Sequence, residues 1–265
     1  MTPTSVARAH VVFVFAHQDD EIGAAPWIEK EVRDDNRVSC VFLTDGARRT
    51  CTGVRDAESI GVLSRIGVRS EDVSFLLAAD RIPDNELNKN LSRASQALER
   101  WLDARAPDVG RMYSLAWEGG HPDHDAAHIL TLLSAQRRRI DDAWQFSLYN
   151  GRRCRTFFRV LSQLPARADA RELRYDLRDG WRYAVLCWSF PSQRRTWLGL
   201  FPELFFRRVF LRREFIVRFD VDRALERPHE GPLLYERMFG TSYKHVEALI
   251  APLREELRLS RRRSV

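Results

Sequence analysis

Several things are missing from this sequence, and each absence narrows what the chain can be. No apolar run reaches the roughly 18 residues that a membrane-spanning helix needs. The four cysteines (Cys40, Cys51, Cys154, Cys187) form no CxxC pair. They read as thiols of a reducing compartment, not as a disulfide frame or a cysteine zinc site. Residues 1–10 hold no apolar signal region, so a secretory leader is not expected and a cytoplasmic chain is. No internal repeat and no linker rich in Pro, Gly or Ser interrupts the chain, so one domain over 1–265 is expected. No GxGxxG follows Phe15, where a dinucleotide fingerprint would stand. Lysine is nearly absent: only Lys30, Lys89 and Lys244 among 43 basic residues.

What is present is ordinary in bulk and uneven in distribution. The 265 residues are 44% hydrophobic and 30% charged, which excludes a disordered or collagen-like chain. The net charge of +6 hides an asymmetry. Residues 1–150 carry 18 basic and 23 acidic side chains, residues 151–265 carry 25 and 14. An arginine-favouring genome accounts for the arginine content. The alternative is a C-terminal half that meets phosphate, on a lipid headgroup or a nucleotide-linked sugar. Nucleic acid is not expected, because no reading module is present.

Apolar runs alternate with helical patterns through the first 150 residues. Strands are predicted at Val11–Phe15, Val38–Leu43, Val73–Leu77, Val109–Leu115 and Gln145–Tyr149. Helices are predicted at Asp20–Arg33, Asp56–Ile66, Glu86–Ala104 and Pro122–Arg139. Continuous apolar strands alternating with helices imply an α/β fold: a Rossmann-like, mostly parallel sheet with helices on both faces. Ligands in such sheets bind beyond the carboxyl ends of the strands. After Asn150 the chain reads as an elaborated, basic and aromatic-rich C-terminal extension packed on the sheet. Arg152, Arg153, Arg155 and Arg159 interleave there with Phe157 and Phe158. Strands are predicted at Trp181–Phe190 and Glu214–Phe219, a helix at Tyr243–Leu257, and a basic tail at Arg261–Arg263.

Two clusters carry chemistry. Ala16-His17-Gln18-Asp19-Asp20-Glu21 follows the first strand directly. An imidazole and neighbouring carboxylates on one strand-end loop suit a metal that keeps one position open. Adjacent carboxylates at a helix start also suit an N-cap in the field of the helix dipole. Gly119-Gly120-His121-Pro122-Asp123-His124 follows the fourth strand in the same topological position. His124 would complete a His-Asp-His set, His121 would flank the open position, and Asp123 could orient an imidazole. Two such clusters at strand ends of one sheet favour the metal over the cap.

AHQDDE at 16–21 together with HPDH at 121–124 resembles the LmbE/PIG-L family of zinc-dependent N-acetylglucosaminyl deacetylases, over about residues 8–150. Gln18 stands where that family usually has proline. The resemblance implies His17, Asp20 and His124 as ligands of Zn²⁺, with Fe²⁺ an alternative. It implies Asp19 as general base and His121 as the group that stabilises the oxyanion and helps protonate the leaving amine. The implied reaction releases acetate from an N-acetylated amino sugar. Amide hydrolysis on another acylated amine, or a glycan- or membrane-binding module without turnover, are the other readings.

Substrate contacts are expected from Arg55 and Glu58, spaced i, i+3 on the second helix behind the loop 44–50; a helix-surface ion pair is the plain alternative. His128 reads as a packed side chain. Trp117 and Glu118 are candidate pocket walls, and Tyr235, Glu236 and Tyr243 are candidates to reach over the site. Residues 197–213 (WLGLFPELFFRRVFLRR) suit either a helix lying on a membrane surface or, the favoured reading, a core-facing helix whose arginine stems cover its outer side.

Overall fold

The computed structural model describes residues 8–46, 52–76, 82–150, 161 and 169–264. Seven strands form one sheet: β1 (His10–Phe15), β2 (Arg37–Phe42), β3 (Val73–Phe75), β4 (Val109–Leu115), β5 (Ala143–Phe146), β6 (Arg171–Arg174) and β7 (Arg213–Arg218). Their order is β3-β2-β1-β4-β5-β7-β6. The first five are parallel; β7 runs antiparallel to β5, and β6 antiparallel to β7. The helices are α1 (Glu21–Arg33), α2 (Thr52–Arg65), α3 (Leu91–Arg105), α4 (Pro122–Arg138), α5 (Leu177–Val185), α6 (Arg194–Phe205), α7 (Val221–Ala224), α8 (Leu234–Met238) and α9 (Tyr243–Ser264). A π-helical turn, Phe206–Leu211, continues α6. The α/β architecture is therefore the one the alternation predicts.

The sheet centre explains its own sequence. Every residue of β1 is buried, as a strand covered on both faces requires. Phe13 stacks on Tyr113 of β4 at 4.4 Å between ring centroids, and Phe15 on Phe42 of β2 at 5.2 Å. Chain direction in space reverses at β1: β2 lies on one side of it and β4 on the other. The crevice at that switch point opens above the carboxyl ends of β1 and β4. Both motif loops leave the sheet there.

The C-terminal half adds β7 and β6 to the sheet and lays α5 and the π turn against α1. Trp181–Phe190 is not a strand. Asp176 caps α5 by accepting from the Asp179 N–H at 2.8 Å. Gly180, Tyr183, Ala184 and Cys187 are buried at helical spacing. That spacing and the cap override the β-preference of Trp, Tyr and Val. A Cβ at Gly180 would lie 2.2 Å from the Arg208 carbonyl oxygen, so only glycine lets α5 approach the π turn. The predicted strand over 214–219 is β7, one residue early. β6 had no counterpart in the sequence reading. The segment 151–160 and most of the loop 44–50 lie outside the described residues.

Residues 197–213 fold as a helix through Leu211 that faces the core, as the favoured reading expects, but Arg207 and Arg208 lie on its inner side and not on its outer one. Trp197, Leu200 and Leu204 face the core, as do Arg207 and Arg208, while Leu198, Phe206 and Phe210 face outward. Arg208, 1% exposed, donates to the carbonyls of Ile22 at 2.9 Å and Gly23 at 3.1 Å, and lies 3.3 Å from Glu214. The reason sits in α1. Pro26 lies inside that helix and has no N–H to give to Ile22, four residues back. The Arg208 guanidinium supplies the missing donor.

Candidate active site

The AHQDDE loop does not behave as an N-cap. Asp20 occupies the cap position of α1 but makes no side-chain cap bond. Its carboxylate folds back and accepts from the backbone N–H groups of Ala16 at 3.0 Å and His17 at 2.8 Å. Its other oxygen lies 3.1 Å from His124 Nε2. Asp20 thus faces the second motif. Burial would raise its pKa, but the charges of His124 and His17 outweigh that and hold it at about 2.

His17 points into the same space. Its Nε2 lies 3.1 Å from Asp123 Oδ2 and 3.2 Å from Asp84 Oδ1, which keeps the proton on that nitrogen. Nδ1 is left facing Asp20 Oδ2 at 3.7 Å. Burial opposes a charged imidazole at His17, yet Asp84, Asp123 and Asp20 raise its pKa well above the ordinary value. Asp123 is fully buried and also accepts from the N–H groups of Asn85 at 2.7 Å and Leu87 at 3.1 Å. It pins both the imidazole and the segment that carries Asp84.

His121 caps α4 and accepts from the Asp123 N–H at Nδ1, 3.2 Å away. In the neutral ring the proton is therefore on Nε2, which faces Asp84 and the pocket. Burial and the neighbouring imidazoles push its pKa down to about 3. Gly120, just before it, must be glycine: a Cβ there would sit 1.9 Å from the Tyr149 carbonyl oxygen.

Asp19 has φ of 101°, unusual for a residue with a side chain. The strain is held by Glu21, which accepts from the Asp19 N–H at 2.8 Å, and by Arg55, whose guanidinium lies 3.1 Å from Asp19 Oδ1. Arg55 also donates to the carbonyls of Gln18 and Gly46. Burial raises the Asp19 carboxyl to about 7, against the opposing charge of Arg55. Burial likewise pushes Glu21 up to about 8. Gln18 donates to Asp56 at 2.7 Å, so in place of proline it ties the loop to α2 with a side-chain bond.

The donor set fits a cation. Donor atoms of His17, His121 and His124 lie within 4.8 Å of one another, as do those of His17, Asp84, His121 and Asp123. His124 is 1% exposed and neither of its ring nitrogens has a hydrogen-bond partner; the Asp20 oxygen is close to Nε2 but out of alignment. A buried imidazole with two unsatisfied nitrogens beside a carboxylate is costly unless something else binds there. The pocket above these groups has a volume of about 270 Å³.

The structure brings His17, Asp19, Asp20, His121, Asp123 and His124 together as the motifs imply. Arg55 lines the pocket; Glu58 does not, and accepts from Ser192 instead. Glu58 thereby anchors the turn before α6, whose Gln193 and Thr196 form part of the pocket wall. Trp117 and Glu118 wall a different, larger cavity of about 690 Å³. Glu118 accepts from Ser147 and from the N–H groups of Leu148 and Tyr149, and so positions Tyr149. Tyr149 stacks on His124 at 5.1 Å. His128 is packed, with Nδ1 2.9 Å from the Leu115 carbonyl oxygen. From the C-terminal half, Leu234, Met238 and Phe239 reach the pocket, whereas Tyr235, Glu236 and Tyr243 do not. The sequence reading missed Asp84, Tyr149 and Phe239. Pro83-Asp84-Asn85 looks like an ordinary turn, and nothing local marks it.

The PIG-L family profile, described as GlcNAc-PI de-N-acetylase, matches residues 12–134. This segment is a PIG-L family domain. It spans β1 through most of α4 and carries every ligand candidate. No curated protein matches the chain in sequence. Solved structures extend the likeness in fold. The deacetylase of the A40926 pseudoaglycone, Dbv21, is 16% identical with a TM-score of 0.57, covering 80% of this chain and 99% of its own. A triple mutant of a deacetylase in the teicoplanin biosynthetic pathway is 14% identical with a TM-score of 0.59, at the same coverage of both chains. The conserved protein TT1542 from Thermus thermophilus is 15% identical with a TM-score of 0.51, covering 75% of this chain and 84% of its own. At these identities the likeness concerns the fold, and it runs beyond the PIG-L domain into the C-terminal half.

Proposed function

We propose that the protein is a metal-dependent N-deacetylase that removes the acetyl group from an N-acetylglucosamine-type amino sugar carried on a glycoconjugate or glycolipid. One observation carries the reading. The two motif loops meet at the switch point of the sheet, where donor atoms of His17, His121 and His124 lie within 4.8 Å of one another, Asp20 lies 3.1 Å from His124, and Asp19 lines the same pocket. Membership of residues 12–134 in the PIG-L family and the deacetylases among the structural neighbours support it.

His17, Asp20 and His124 are assigned as the holders of Zn²⁺; Fe²⁺ accepts the same donors. When bound, the metal supplies Lewis acidity that makes water nucleophilic near neutral pH. The chain's own residues do the rest. Asp19, oriented by Arg55 and by the Glu21 contact to its backbone, takes the proton of the attacking water. His121 presents Nε2–H toward the pocket, where it would hydrogen-bond the developing oxyanion and then the leaving amine, which receives the proton that Asp19 took from the water. Asp123 fixes the tautomer of His17. Arg55 and Asp84 border the space where a sugar would lie, and Phe239 and Leu234 restrict water.

The test is acetate release from N-acetylglucosamine compounds, from free sugar to nucleotide-linked and lipid-linked forms, with added Zn²⁺ and with a chelator. Metal-dependent acetate from any member is the expected result and places the substrate. Absence of release from every member, with metal bound in stoichiometric amount, overturns the amino-sugar assignment in favour of another acylated amine.

A further inference from the structure

Apolar side chains exposed one at a time are ordinary; a cluster is not. Seven of the eleven strongly exposed large apolar side chains among the described residues fall between 177 and 211. They form one face. Leu198 (70% exposed), Phe206 (53%) and Phe210 (63%) follow one another along the outer side of α6 and its π turn. Phe205 links the row to Trp181 of α5 at 5.4 Å and to Phe210 at 6.1 Å, and Phe206 packs on Phe210 at 5.6 Å. The opposite side of α6 is already satisfied by the core, so this face has no partner within the described residues.

The charge around the face is one-sided. Residues 177–213 contain eight arginines and two acids, Asp179 and Glu203. Asp179 is taken by Arg33 and Arg182, and Glu203 accepts from the Leu161 N–H. Arg178, Arg194, Arg195 and Arg212 are exposed and make no side-chain hydrogen bond or ion pair among the described residues. Most other described arginines do have such a partner.

We infer that this face of α5, α6 and the π turn docks on an anionic lipid surface, with Leu198, Phe206, Phe210 and Trp181 entering the interface and the four unpaired arginines meeting phosphate. Aromatic and aliphatic side chains ringed by arginine are what an interfacial helix presents. A second copy of this chain fits less well. A two-fold interface would set the same arginines against each other with no free acid to receive them. Insertion stays shallow, since no described helix is long and apolar enough to cross a membrane. Thr196, two residues before Leu198, lines the pocket from the other side of α6, so the docking face and the pocket are borne by one helix. The inference rests on the surface and holds whether or not the pocket hydrolyses amides.

The test is co-sedimentation of the full chain with phosphatidylcholine vesicles, with and without phosphatidylglycerol, at low and high salt. Binding is expected to the anionic vesicles, weakening as salt rises. Each arginine near an anionic surface contributes roughly fivefold, so R194S/R195S should bind about 30-fold more weakly. F206S/F210S should bind more weakly at every salt concentration. All four positions are exposed, and unchanged melting of both variants certifies the fold. Equal binding to neutral and anionic vesicles, absence of binding, or variants that bind like wild type would overturn the inference. So would a concentration-dependent dimer, seen by sedimentation, that F206S/F210S abolishes.

Discussion

Two regions of this molecule break the usual partition of side chains, and they break it in opposite directions. Above the ends of β1 and β4, charge is buried: His17, Asp19, Asp20, Glu21, Arg55, His121, Asp123 and His124 are all withdrawn from water. On the outer side of α6, apolar rings face water while Arg207 and Arg208 lie beneath them. Neither arrangement is favourable in isolation. Buried charge needs paired charge or a metal, and exposed rings need a cover. The difference lies in how each region is held. Most side chains of the strand-end site are held by hydrogen bonds, His124 excepted, whereas the apolar face of α6 makes none and is held only from behind. Irregularity that is fixed from all sides belongs to chemistry at a point; irregularity left open belongs to contact over an area.

The sharpest way to break the comparison is at the site. Asp19→Ala removes the proposed base and leaves the three assigned ligands in place. Acetate release should fall by roughly 10²–10⁴-fold with metal content unchanged by elemental analysis. His124→Ala should abolish stoichiometric metal as well as turnover; retained metal would sink that ligand set. Beneath the α6 face, Arg208→Ala takes one of the two arginines from buried Glu214 and leaves the Ile22 carbonyl of α1 without a donor. Urea unfolding should show a loss of about 3 kcal/mol, at the low end for a broken buried ion pair. That cost should shrink in a Pro26→Ala background, where α1 regains its own donor for Ile22. Above the same helix, Phe206→Ser should change stability by no more than about 0.5 kcal/mol, as for other exposed positions. The smallest effect is expected at Gln18→Pro. It loses the bond to Asp56, worth about 1 kcal/mol, and recovers part of that through a stiffer unfolded chain, so melting should move little.

Much of this was legible in the residues. The alternation of apolar strands and helices over 1–150 predicts the parallel half of the sheet, because a doubly covered strand such as VVFVF leaves no other reading. The ligand candidates were legible because each motif is local: His17 through Glu21 and His121 through His124 are set by a strand end and a helix start. What was hidden is whatever depends on a distant partner. Asp84 joins the site only because Asp123 holds the backbone of Asn85 and Leu87. Tyr149 does so because Glu118 holds the exit from β5. Pocket contacts from 234–239 come from the other side of the helix than the tyrosines suggested, since Tyr235 is drawn into the core. The inward placement of Arg207 and Arg208 was hidden for the same reason. Arginine is ordinarily a surface residue, and only the unfilled carbonyl in α1 and the neighbouring Glu214 make the interior the better place for Arg208.

Pro26 and Arg208 also have a history written into them. A proline inside α1 is tolerated in this chain because a long side chain from the C-terminal half reaches across to complete the helix. A lineage that lost Arg208 first would leave α1 with an orphaned carbonyl just past the AHQDDE loop. One that replaced Pro26 first would leave Arg208 redundant there. Replacing Pro26 first relaxes the demand on Arg208 at α1, while its pairing with buried Glu214 remains. Among sequences that share this extension, the two positions should change together, though they lie in separate elements far apart along the chain.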